Sequence, residues 1–323
     1  VAGTSPAVIL ALTASATSTI RLGSGAVQLG HRTALSTVEE FGLIDALHPG
    51  RFDLGLGRSG GRPAGPPATP PPTATPVVDG RAPNGLRIPE RFSFAHLLGS
   101  PRVALQRRLL QQPGAESQDY GEQVDDILAL LAGTYRSADG VEAHVVPGEG
   151  ADVQVWILGS SGGQSAEVAG RNGLRFAANY HVSPATVLEA AEGYRTAFQP
   201  SDVLDKPYVS VSADVVVAED DETARELATG YGLWVRSIRT AEGAIEFPTP
   251  EQARSHVWTD TDRALVADRV ETQFVGSPAR VADQLERLQA ATGADELLIT
   301  TITHRHADRV RSYELLAEEW RRR

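Results

Sequence analysis

The sequence predicts a parallel α/β fold, either a closed barrel or a doubly wound sheet. Short apolar runs alternate with segments of helical period along the chain, and strands that alternate with helices pair in parallel. The run Val155-Trp156-Ile157-Leu158 breaks into Gly159-Ser160-Ser161-Gly162-Gly163 and then takes helical spacing, which reads as strand, tight turn and helix start. At 323 residues the chain can bury a substantial core in one large domain or two average ones.

Each element has a local reason. Ser5-Pro6 before Ala7 to Ala16 is a cap and a first-turn proline leading an apolar helix. Thr19 to Leu29 reads as a strand with small residues, Gly23, Ser24, Gly25 and Ala26, near its end. Leu35, Val38, Phe41, Ile44 and Leu47 mark an amphipathic helix stopped at Pro49-Gly50, and Phe52 to Gly57 is a short strand before Arg58. From about 62 to 118 the period is lost, and the prolines from Pro66 to Pro76 forbid a helix or central strand there. A piece around Phe92 to Gln111 can hold a helix, with Phe94, Leu97 and Leu98 as anchors. This excursion is a lid over a pocket or a variable surface loop.

Order returns with the helical stripe Val124, Ile127, Leu128 and Leu131, the strand at Val153 to Leu158, and a strand from Arg175 to His181. Val187, Leu188, Ala191, Tyr194 and Phe198 form another helical face, and the β-branched run Tyr208 to Val217 is a strand. Glu222 to Arg239 reads as helix and Thr240 to Asp262 as irregular. Ser277-Pro278 then starts a helix, Leu297 to Ile302 is a strand, and Val310 to Trp320 is a closing helix. The count is about six strands, two short of a closed eight-stranded barrel. With the absence of Met, this fits the loss of one strand-helix-strand unit upstream of Val1.

Composition excludes several kinds of chemistry. Zero Cys rules out a disulfide framework, Cys-ligated metal and a Cys nucleophile, and fits a reducing cytoplasm. The formal net charge of −11 argues against general nucleic-acid binding, which rests on cations neutralising phosphates. Lys206 is the sole lysine, so Schiff-base chemistry is not expected. No apolar run approaches the ~18 residues of a spanning helix, and no membrane association is expected.

The Gly/Ser turn is the chemically informative stretch. N–H groups at a helix N-terminus lack intrahelical partners and carry the positive dipole end, so Ser160, Ser161, Gly162, Gly163 and Ser165 read as an anion site suited to phosphate. An ordinary capped turn is the bland alternative. Arg58 offers forked donors that suit phosphate oxygens, or a structural ion pair. The small residues at Gly25 and Ala26 admit a flat ligand against the backbone, or serve tight sheet packing. His304-Arg305-His306 lacks the partners of a metal site, and no metal is expected.

Taken together, several words resemble the luciferase-like flavin-dependent monooxygenases of the bacterial luciferase superfamily, in particular the single-chain alkanal-monooxygenase-like branch. They are Gly3 to Val8, Arg21 to Val27, Phe41 to Arg51, Leu54 to Arg58, Leu158 to Ser165, Tyr231 to Ser237 and Ala294 to Thr301, in family order. The resemblance implies a single TIM (β/α)8 barrel domain over 1–323, interrupted by the excursion at about 62–118. It also implies reduced FMN from a separate flavin reductase, O2 as co-substrate, a small-molecule substrate that is apolar or carbonyl-bearing, and a homodimer. Arg58 matches the basic residue that contacts the flavin phosphate, and Ser161, Gly162, Gly163 and Ser165 match the phosphate turn. Gly25 and Ala26 match the small-residue bulge under the flavin ring, where the family often has a non-proline cis peptide. Asn179, Tyr180 and His181 match the strand end that flanks the ring.

The family's acidic-His-His word lies upstream of Gly3 in relatives and is not in this sequence. His31, after the small-residue strand, and His181 are the remaining candidates for a proton-handling group. Two alternatives share the barrel: a deazaflavin-dependent oxidoreductase that transfers hydride without O2, and a non-catalytic flavin-binding protein.

Overall fold

A computed structural model of the chain describes residues 5–58, 76–97, 99–240 and 243–323. Residues 59–75, which hold most of the Pro-rich run, and the expected anchor Leu98 lie outside the described residues. The chain divides into two compact units: Val1–Pro71 with Arg107–Ala177 and Gly193–Tyr208, and Pro72–Gln106 with Ala178–Glu192 and Val209–Arg323.

In the first unit, helix α1 (Pro6–Ser15) starts with proline in its first turn, and α2 (Ala34–Leu47) is capped by Thr33, whose hydroxyl accepts from Ser36 N at 3.2 Å. The stretch Thr19 to Leu29 is not one strand. It forms β1 (Leu22–Gly23) and β2 (Val27–Gln28), both parallel to β3 (Phe52–Gly57) and separated by a segment with a cis Gly25–Ala26 peptide. The physical reason is Ser24: its buried hydroxyl donates to Gly55 O at 3.0 Å and accepts from Gly55 N at 2.9 Å, replacing the ladder where the backbone bulges. Strand β4 (Val153–Gly159) runs parallel to β3 from Phe52↔Val153 to Gly57↔Leu158. Helices α4 (Tyr120–Leu131) and α5 (Gln164–Arg171) complete the part of this unit that carries the expected turn.

In the second unit, β6 (Val209–Val217) is buried along its whole length. It pairs in parallel with β8 (Glu296–Thr300), Asp214 opposite Thr300, and with β7 (Phe274–Gly276), Val215 opposite Phe274. A strand buried on both faces normally reads as a continuous apolar run, yet Ser210, Ser212 and Asp214 share one face here. Strand β5 (Arg175–Asn179) and helix α6 (Val187–Ala197) each cross the division between the units.

Several expectations need correction. The helix expected over Glu222 to Arg239 is two helices, α7 (Asp221–Ala228) and α8 (Tyr231–Arg239). Between them Gly230 lies so close to Pro248 that a β-carbon would stand 2.7 Å from its carbonyl oxygen. Thr240 to Asp262 is not irregular throughout: it holds α9 (Pro250–Ser255) and the start of α10 (Asp260–Val270). Thr249 with Gln252 and Thr259 with Asp262 form reciprocal capping boxes that set both starts. Strand β7 was too short to register as a period, and the described residues hold eight strands rather than about six. Helices α11 (Pro278–Thr292) and α12 (His306–Arg322) follow as expected in kind, α12 starting earlier than Val310.

Within the excursion, α3 (Pro101–Leu110) is regular. In the second unit Ala82, Leu86 and Ile88 are buried, Arg87 pairs with Glu271 at 2.8 Å, and the Arg239 guanidinium lies 3.7 Å over the Phe92 ring. Among the described residues no helix is long and apolar enough to cross a membrane.

Candidate functional site

Strand β4 delivers the chain into the Gly/Ser turn, and α5 leaves it with Gly163 as N-cap and no side-chain cap. Ala166 N and Glu167 N donate back to Gly163 O at 3.0 and 3.2 Å, and the N–H groups ahead of them in the first turn of such a helix have no partner within the helix. Ser161, Gly162, Gly163 and Ser165 are half-buried and Ser160 is exposed at the rim. Gln164, the first residue of α5, donates through Nε2 to Asp119 Oδ2 at 3.0 Å, and Asp119 caps α4 through Gly121 N at 2.8 Å. That link fixes the start of α5 against the start of α4.

Tyr120 is the residue this places at the centre. It is buried, its hydroxyl donates to Leu56 O at 3.3 Å, and it hydrogen-bonds the Ser165 side chain. Burial pushes its phenol far up, against the smaller opposing effects of Ser165 and the Arg58 charge, so it stays protonated. Arg58 follows the end of β3 and acts electrostatically on the same phenol. Arg58, Tyr120 and Ser165 therefore form one constellation beside the open end of α5. The Gly25–Ala26 peptide belongs to the same unit: a β-carbon on Gly25 would meet Leu158 Cδ2 at 3.8 Å, and one on Gly57 would meet Ala26 Cβ at 3.1 Å. Glycine at both positions keeps this wall flat.

His31 closes the short turn Leu29–His31 after β2. Its Nδ1 is buried without a partner among the described residues, and burial followed by the Arg32 charge lowers its pKa, which keeps the ring neutral.

Asn179, Tyr180 and His181 belong to the second unit. The Tyr180 hydroxyl donates to Arg87 O at 2.6 Å and its ring lies 5.7 Å from that of Phe274. His181 Nδ1 is 2.6 Å from Ser212 Oγ. Burial lowers the His181 pKa, Asp214 opposes that shift and Arg269 adds to it. Asp214 is itself buried: Tyr231 and Arg269 donate to Oδ2, the latter at 3.2 Å, while Thr300 donates to Oδ1. Arg269 also donates to the Tyr231 hydroxyl at 2.8 Å. His304 and His306 have separate partners, Phe247 O at 2.9 Å and Arg309 at 2.9 Å.

Sequence reasoning missed Tyr120 and the Asp214 cluster. Asp119-x-x-Glu122 is a helix-start pattern that could have placed Tyr120 on the first turn of α4. No local signal unites Asp214, Tyr231, Arg269 and Thr300, which come from four elements.

The family model for luciferase-like monooxygenases matches residues 2–67 and 107–296. The chain belongs to that family. The uncharacterized protein YvbT of Bacillus subtilis (strain 168) is 34% identical over 326 residues, covering 100% of this chain and 83% of that protein. A luciferase-like monooxygenase of Escherichia coli (strain K12) is 29% identical over 317 residues, covering 98% and 81%. The crystal structure of apo-MsnO8 superposes with a TM-score of 0.73 at 28% identity, covering 98% of this chain and 81% of that one. This luciferase-like monooxygenase family member is thus an oxidoreductase of the parallel α/β barrel class.

Proposed function

We propose that the protein is a monooxygenase that uses reduced FMN and O2 to oxidise an apolar or carbonyl-bearing small molecule. The convergence of Arg58, Tyr120 and Ser165 on the uncapped start of α5 carries this reading, because it fits a phosphate monoester. Arg58 and the N–H groups and hydroxyls of Ser160, Ser161, Gly162, Gly163 and Ser165 hold the phosphate. The Gly25–Ala26 backbone and Leu158 offer the flat wall a ring system needs. The resemblance assigns Asn179 and Tyr180 to the flavin ring, and within the second unit the neutral His181 imidazole, oriented by Ser212, is the group able to accept or return a proton. When bound, reduced FMN supplies the electrons that activate O2. A separate reductase supplies the reduced cofactor, and the enzyme works in the cytoplasm.

Two fold-level neighbours frame the cofactor choice. The oxygenating constituent of 3,6-diketocamphane monooxygenase from Pseudomonas putida, in complex with FMN, has a TM-score of 0.55 at 17% identity over 97% of this chain and 82% of that one. A coenzyme F420-dependent tetrahydromethanopterin reductase from Methanopyrus kandleri has 0.54 at 18%, over 97% and 87%. Anaerobic titration with reduced FMN and with reduced F420, followed by mixing with O2, separates oxygenation from deazaflavin hydride transfer. Preferential F420 binding, or FMN binding with no O2-dependent spectral change, refutes the proposal. Arg58→Ala should weaken FMN about 10- to 150-fold while leaving riboflavin nearly unchanged, since a charge-assisted contact contributes about 1.5–3 kcal/mol. Equal losses for the two ligands would place Arg58 away from the phosphate.

A further inference from the structure

In the second unit a cleft of about 320 Å³ is walled by Arg81, Leu86 and Arg87 on one side and by Glu271, Gln284 and Arg287 on the other. The first wall belongs to the stretch that falls between the two matched parts of the family model. Arg81 and Arg87 are directly opposite each other across an antiparallel bridge. The bonds that flank it, from Ala82 N to Leu86 O at 2.9 Å and from Ile88 N to Gly80 O at 2.8 Å, make this a non-hydrogen-bonded pair, where facing side chains come closest. Like charges in that position repel and destabilise the pairing. Both guanidinium groups are tied to residues of the cleft: Arg81 Nη1 donates to Gly85 O at 2.9 Å, and Arg87 Nε to Glu271 Oε2 at 2.8 Å. Burial raises the pKa of the Tyr180 phenol, and the Arg87 and Arg81 charges both act against that rise, so the two cations lie within reach of one buried group.

The hairpin is anchored on both sides. Tyr180 donates to Arg87 O at 2.6 Å, and Asn84 Nδ2 to Arg287 O at 2.8 Å, which sets Arg287 of α11 beside it as a third cation. Carboxylates do not balance this charge. Among the described residues Glu271 is the sole acid of the cleft, and Asp283 and Glu286, near Arg287 on α11, are taken by Arg323 at 2.8 and 2.9 Å. Three cations against one carboxylate leave an excess of two positive charges. We infer that this cleft binds a phosphate dianion, which bridges Arg81 and Arg87 and relieves their repulsion, with Arg287 as the third cation. A dianion matches the excess, and guanidinium forks suit phosphate oxygens. The site shares no residue with the Gly/Ser turn and does not rest on the flavin reading.

The probes are inorganic phosphate, phenyl phosphate and benzoate, the last a monoanion on the same ring. The full chain is titrated calorimetrically in low-salt, phosphate-free buffer at about pH 8, where both phosphates are mainly dianions. Both should bind saturably and more tightly than benzoate. Arg81→Gln and Arg287→Gln should each weaken them about threefold to tenfold, since a charge-assisted contact from a solvent-exposed cation is screened. Arg58→Ala should leave this binding in place. Tighter binding of phenyl phosphate assigns the cleft to a phosphate monoester, and binding of inorganic phosphate at least as tight assigns it to free phosphate. Should Arg81→Gln fail to fold, Arg287→Gln, at an exposed position of α11, carries the test. Absence of saturable phosphate binding, benzoate bound as tightly as phenyl phosphate, or binding lost in Arg58→Ala but kept in both Arg81→Gln and Arg287→Gln would overturn the inference. Phosphate binding at the cleft in a protein that fails to bind FMN would sink the flavin reading and leave this one standing.

Discussion

Asp214→Asn isolates the charge of the buried cluster in the second unit. Asparagine keeps the shape of aspartate, and its amide oxygen can still accept from Tyr231 at the Oδ2 position. Thr300, whose hydroxyl also lies 3.3 Å from Ala213 O, can turn to donate there and accept from the new amide N–H. What asparagine cannot replace is the negative charge facing Arg269. The two side chains are 11% and 5% exposed, so the guanidinium would be left in a low-dielectric site with little water. Removing one partner of such a pair costs about 3–5 kcal/mol, whereas replacing both with apolar groups of similar volume can be nearly neutral. Urea unfolding followed by circular dichroism should show a lower midpoint at unchanged slope for Asp214→Asn. The double variant Asp214→Asn/Arg269→Met should recover most of the loss. A single-variant cost under about 1 kcal/mol, or a double variant no better than the single, would refute the assignment of a desolvated ion pair.

His181 has a lowered pKa through burial, so the unfolded chain binds a proton more readily than the folded one. Stability from this group is therefore present above ~6.5 and lost as pH falls below it, and His181→Gln should show a flatter loss between pH 6.5 and 5. An identical pH profile in the variant would show that His181 does not titrate differently on folding. Gly55→Ala would put a β-carbon 1.9 Å from Ser24 O and 2.9 Å from Leu158 Cδ1. It should destabilise by at least the ~1–3 kcal/mol of core overpacking and weaken FMN through the displaced Gly25–Ala26 wall, which melting curves and a flavin titration would read. Helix α1 is apolar on its outer side too, with Val8, Ile9 and Leu12 more than half exposed, and Leu43 and Leu47 are exposed on α2. A helix face this apolar is normally covered; if a second copy covers it, as in the homodimer the resemblance implies, Leu12→Glu should shift light-scattering mass from dimer to monomer, and a wild-type monomer at high concentration would rule the dimer out.

Hydrophobic period and turn chemistry, both local, carried the fold class. The alternation of strands and helices and the Gly/Ser break after Leu158 could be read along the chain, and Arg58 stood out as a forked cation at a strand end. The capping boxes at Thr249 and Thr259 are local signals of the same kind. Tertiary contact alone decided the rest. Ser24 splits what reads as one strand because its hydroxyl finds Gly55 across the sheet, and Tyr120 enters the site because β3, α4 and α5 bring Leu56, Asp119 and Ser165 to it. Asp214 reads as a misplaced charge in a β-branched run until Tyr231, Arg269 and Thr300 surround it. The period of a strand is set by neighbours in sequence, whereas the satisfaction of a buried polar group is set by neighbours in space.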